Sequence, residues 1–255
     1  MLEILGILLL GFVFAILSNN TIDQTPKKRA YKAPTPYCPS CATNLAWKDM
    51  VPFWSYFNTR GKCPYCGEPL STRHILIDIL ELVWVTIYIW RFGWSYEGSV
   101  SMIFGMALLG IIFLSKEKRE LNDSLLLILG MLAVINFLAY NPDRFPEAAI
   151  SMILGVASLS LYNLTKIFAT EDSIFDLTEL KLGALLGLFL GIQLGLVALF
   201  MAMVSGAVIG SFNIKYFKKS SREAMPQFSE LLAGAGLMTI LWGTDILGYY
   251  HTLIR

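Results

Sequence analysis

Four cysteines pose the first chemical question. They stand as Cys38-Pro-Ser-Cys41 and Cys63-Pro-Tyr-Cys66, a C-x2-C-x21-C-x2-C spacing inside one hydrophilic stretch. Two such pairs can turn four thiolates onto one tetrahedral centre, and an all-sulfur set with no open position suits a structural zinc. Disulfides or unliganded thiols are the alternatives. A redox pair would need one C-x2-C in a βαβ setting, and the flanking sequence offers none. The stretch, residues 19–73, also carries Pro26, Pro34, Pro36, Pro39, Pro52, Pro64 and Pro69, seven of the chain's 10 prolines, which disfavour long regular elements. A unit of about 55 residues is marginal on apolar burial alone. A metal would supply what such a core lacks.

The elements around this loop are built for lipid. Of 255 residues, 55% are hydrophobic and only 15% charged, with a mean hydropathy of +0.58, where soluble domains carry roughly 25% charge. Crossing ~30 Å of hydrocarbon takes about 20 apolar residues. Stretches near 2–18, 74–92, 98–115, 121–140, 146–164, 179–195, 196–213 and 228–250 have that character, without the polar face of a soluble amphipathic helix. The expected fold is an all-α polytopic membrane protein with about eight transmembrane helices. Its parts are a first helix (1–18), a zinc-binding loop domain (19–73) and a seven-helix membrane domain (74–255). The first helix carries Glu3 and lacks a basic leading region and a small-residue cleavage site, so it reads as a retained span.

Charge sets the orientation. Eight spans put residues 19–73, 116–120, 165–178 with the start of the next span, and 214–227 on one side, and these hold 17 of the 20 Lys and Arg residues, leaving Arg91, Arg144 and Arg255 opposite. Positive-inside bias places the cysteine loop in the cytoplasm and both termini outside. A reducing compartment in turn disfavours disulfides. Lys215 to Arg222 reads as part of the same topological signal, and a lipid-binding patch is the other reading. Gly183, Gly187, Gly191 and Gly195 recur every four residues, as do Gly206 and Gly210, a spacing that lets helices pack closely in lipid. Trp84, Trp90, Trp94 and Trp242 read as interface anchors or lipid-facing residues. His74 and His251 have no triad partners. No nucleotide fingerprint is present, since Gly234-Ala-Gly236 lies inside a span.

The residues of the loop resemble a known family. Leu45-Ala-Trp-Lys-Asp-Met-Val-Pro52-Phe-Trp-Ser55-Tyr56, then Arg60-Gly-Lys-Cys63-Pro-Tyr-Cys66-Gly67, then Ser71-Thr-Arg73-His74 running into Asp78, are similar to the loop of type IV prepilin peptidases. These are membrane-embedded GxGD-type aspartyl peptidases with the same cysteine spacing after the first helix. The resemblance implies removal of a short basic leader from prepilins or pseudopilins at the cytoplasmic face of a bacterial plasma membrane, and in many members N-methylation using S-adenosylmethionine. That peptidase chemistry needs two carboxylates sharing one proton. The family pattern ID-x-D-x-x-x-LPD aligns with Leu114-Ser115-Lys-Glu117-Lys-Arg-Glu120-Leu-Asn-Asp123, placing Ser115 at the first catalytic position. GxGD-x-KL aligns with Asp176-Leu-Thr-Glu179-Leu-Lys-Leu182, placing Glu179 at the second. The late PFGPFLALG is echoed by Pro226-Gln-Phe-Ser-Glu230-Leu-Leu-Ala-Gly234.

A serine does not share a proton as an aspartate does. A glutamate moves its carboxylate by one methylene, and displacements of about 1 Å can cost ~100-fold. Two functions are therefore expected from the resemblance. One is a divergent peptidase using Glu179 with Glu117 or Asp123. The other is an inactive homologue that binds prepilin or assembly components as scaffold or regulator. Most acids near the aligned positions read alternatively as solvated loop charges. Asp78, Glu81, Glu230 and Asp245 are isolated intramembrane acids, a costly and often functional placement. The expected partners are a prepilin segment and membrane lipid, with no nucleic acid; oligomeric state is not legible.

Overall fold

The computed structural model describes residues 41, 43–44, 58–69, 73–93, 95–116, 123–140, 143, 145–169, 177–217 and 226–254. Among them are six helices and no strand: α1 (Arg73–Phe92), α2 (Tyr96–Lys116), α3 (Asp123–Tyr140), α4 (Phe145–Ala169), α5 (Leu177–Phe217) and α6 (Phe228–Ile254). They cover the stretches expected as spans from residue 74 onward, with 179–195 and 196–213 falling in the one element α5; the expected first span, 2–18, lies outside the described residues. Three stretches, Gly98–Lys116, Glu179–Phe217 and Phe228–Thr252, are long and apolar enough to cross a membrane. The chain divides into two compact units at Gly110/Ile111.

In the first unit, α1 ends at Gly93, whose φ of 68° and bond from its N–H to Ile89 O (2.8 Å) form a left-handed cap. Ser95 then caps α2, accepting from Gly98 N at 2.9 Å. The two helices meet through Trp84. Its indole Nε1 donates to Met102 O at 3.0 Å, and a Cβ on Gly105 would stand 2.0 Å from its ring. Trp84 is 5% exposed. The interface-anchor reading therefore fails for this tryptophan, because a glycine opposite admits the ring and a backbone carbonyl takes its N–H. Trp90, 85% exposed, keeps that reading.

In the second unit α4 packs antiparallel to the start of α5, and α6 antiparallel to its later part. A Cβ on Gly155 would meet Gly183 O at 2.6 Å, and one on Gly187 would meet Ser151 O at 2.5 Å. These glycines let two backbones touch, as the four-residue spacing implied. Gly191 behaves differently. Its φ of 76° and ψ of −179° break the helical path of α5. A Cβ on Gly195 would lie 3.7 Å from Gly187 Cα, although residues eight apart in a straight helix are separated by about 12 Å. The chain therefore doubles back at Gly191, making α5 a hairpin of arms 177–190 and 192–217. The second arm runs along α6, with Gly206 against Leu231 and Leu194 against Gly243. Ala133, Ala148 and Leu188 form a buried cluster joining α3, α4 and the hairpin.

Candidate functional site

The cysteine site is shaped by turns. Arg60 (φ 54°) and Gly61 (φ 70°) are both left-handed, and Lys62 N donates to Thr59 O at 3.2 Å, the geometry of a type I′ turn. Cys63 N then donates to Glu68 O (2.8 Å) and Gly67 N to Cys63 O (2.9 Å), with Gly67 at φ 74°. A single bridge pairs Lys62 with Pro69. This knuckle turns Cys63 and Cys66 to one side, and the Sγ atoms of Cys41, Cys63 and Cys66 lie within 4.8 Å of one another. Sulfurs bound at ~2.3 Å around a tetrahedral ion stand about 3.8 Å apart, so the three thiols fit a metal. Cys38, the expected fourth ligand, lies outside the described residues.

The first aligned catalytic position carries a closed set of hydrogen bonds. Ser115, in the last turn of α2, is 5% exposed. Its hydroxyl donates to Gln227 Oε1 at 2.6 Å and meets Ser229 Oγ at 2.6 Å. A hydroxyl has one proton, so Ser229 is the donor in the second bond. Gln227 opens α6, its carbonyl accepting from Glu230 N at 3.0 Å, and Ser229 is 3% exposed. Lys116 and Glu230 attract one another beside this cluster. The end of α2 is thus fastened to the start of α6 through neutral groups. Gln227 and Ser229 were not singled out in the sequence. The available signal was that they depart from the apolar Phe and Pro of the family pattern at those positions.

Glu179 lies in the first turn of α5, where the helix N-terminus favours an anion. It is 4% exposed, so it is not a solvated loop charge. Asp123 is the first residue of α3, and Glu117 lies outside the described residues. In α1, Asp78 and Glu81 are buried at 6% and 0% exposure. Asp245 and His251 are exposed near the end of α6.

Among the described residues the secondary structure is helical, and three stretches have membrane-crossing length and apolarity, the make-up of an integral membrane protein. The chain belongs to the prepilin leader peptidase/N-methyltransferase family. Residues 9–92 match the model of the Bacterial Peptidase A24 N-terminal domain. The prepilin leader peptidase/N-methyltransferase of Pseudomonas putida is 29% identical over 216 residues, covering 84% of this chain and 74% of the relative. The Myxococcus xanthus protein of that name is 29% identical over 237 residues, covering 91% and 70%. The Neisseria gonorrhoeae one is 30% identical over 176 residues, covering 69% and 61%. No solved structure matches the chain.

Proposed function

We propose that this protein binds the N-terminal segment of a prepilin or pseudopilin at the cytoplasmic face of a bacterial plasma membrane without cleaving it, as a scaffold or regulator of pilus or secretion assembly. The observation that carries this reading is the hydrogen-bonded state of Ser115. The position where the family needs a titrating carboxylate holds a neutral hydroxyl already engaged by Gln227 and Ser229, and such a hydroxyl shares no proton with a second acid. In this reading the chain crosses the membrane eight times, its cysteine loop lies in the cytoplasm, and Cys38, Cys41, Cys63 and Cys66 hold one structural zinc. S-adenosylmethionine enters by family membership alone.

A second reading, a peptidase with a rebuilt dyad, is favoured by one observation: Glu179 is buried at the second aligned position. Purified protein incubated with a prepilin and followed by mass spectrometry separates the two. The binding reading expects intact prepilin that co-purifies with the protein. Leader removal by the native chain, lost in Glu179→Ala, would replace it with the peptidase reading. Cleavage gained by Ser115→Asp combined with Glu179→Asp would show that the binding groove still presents the scissile bond.

A further inference from the structure

The Ser229–Ser115–Gln227 relay has a direction. Ser115 gives its one proton to Gln227 Oε1, so Ser229 gives its own to Ser115. Each donation polarises the next group. The relay begins at a residue 3% exposed, passes through one 5% exposed and ends on an exposed side chain. Its last member is an amide whose oxygen is engaged, while its two Nε2 hydrogens take no part in the relay. Gln227 is also anchored by its main chain, which accepts the first bonds of α6 from Glu230 N at 3.0 Å and Leu231 N at 3.4 Å.

We propose that Gln227 is a peptide-binding residue, its Nε2 donating to a main-chain carbonyl of the prepilin segment bound in extended form across the start of α6. This rests on the binding function proposed above and adds the residue that grips the segment. A neutral N–H donor held by an engaged carbonyl suits a neutral acceptor, and an extended peptide offers one at every residue. Among the described residues, Lys116 and Glu230 nearby carry opposite charges that attract one another. Phe at this position in the family pattern supplies no such donor. Ser115 then acts through Gln227 as a positioning residue, which replaces proton transfer with orientation at the former catalytic position.

The test is binding of a synthetic prepilin N-terminal peptide, leader plus the start of the apolar helix, to the full detergent-solubilised chain. Gln227→Met, close in shape but without a donor, should weaken binding about fivefold, the worth of one neutral hydrogen bond. Ser115→Ala should weaken it by less in the native background and not at all in the Gln227→Met background. Gln227→Glu keeps the acceptor for Ser115 but removes the donor. Against a peptide whose leader Lys and Arg are replaced by Gln, it should fall as far as Gln227→Met. Native affinity in Gln227→Met with an unchanged thermal midpoint, or an equal Ser115→Ala loss in both backgrounds, would overturn the inference while leaving the binding function standing. A native chain that binds no such peptide would overturn both.

Discussion

The cysteine knuckle and the glycine-packed bundle are held together by opposite means. Residues 58–69 contain three left-handed residues, Arg60, Gly61 and Gly67. Turn hydrogen bonds order them, and the sulfurs of Cys63 and Cys66 converge with that of Cys41. The bundle of α4, α5 and α6 has no such centre; it coheres because glycines bring backbones into contact over several turns. One region depends on a single point, and the other spreads its dependence along an interface. Damage should therefore be all-or-none in the first and graded in the second.

Metal removal should produce the largest effect. The zinc proposed for the cysteines predicts one zinc per chain by elemental analysis, lost in Cys63→Ser. Structural zinc sites contribute of order 10 kcal/mol in small domains, so chelation should expose the loop to limited proteolysis while helicity by circular dichroism is kept. A chain with no bound zinc and an equally protected loop would end the point-dependence half of the comparison. Next comes Gly187→Ala. Its Cβ would stand 2.5 Å from a backbone oxygen that no rotamer change can move, and overpacking of this kind costs about 1–3 kcal/mol, read as a lowered thermal midpoint in detergent. Gly191→Ala meets no atom within 4 Å but must adopt backbone angles reserved for glycine, at about 1–3 kcal/mol. At the small end, Gly234→Ala lies mid-helix with nothing within 4 Å. It should be neutral or stabilising by up to about 1 kcal/mol. An equal loss at Gly187 and Gly234 would contradict the graded interface.

Much of the fold was written in hydropathy, because a membrane helix must satisfy its own backbone and be apolar for its whole length. The start of α6 at Phe228 agrees with the expected span 228–250, while the helix runs on to Ile254. The break in α5 was expected at 195/196 and falls at Gly191. Four glycines at equal spacing look alike in sequence, and only the neighbours of each decide that Gly183 and Gly187 touch α4 while Gly191 turns the chain. Trp84 was misplaced for a related reason: whether a tryptophan faces lipid or a glycine depends on a helix 18 residues further along. At the site, Ser115 and Glu179 were legible as aligned positions, but the partners of Ser115 lie 112 and 114 residues away, with no local pattern to announce them.

The reversal at Gly191 bears on how the chain enters the bilayer. The arm 177–190 rises only about 21 Å as a helix, so crossing ~30 Å of hydrocarbon, as eight spans require, needs the bilayer to thin around it. It is a poor candidate for recognition by an insertion machinery working one segment at a time. Joined through a single residue to the longer arm 192–217, it has no loop to be threaded across the membrane. The two arms are expected to insert together, with α4, which precedes them in the chain and packs on Gly183 and Gly187, as the surface they close against.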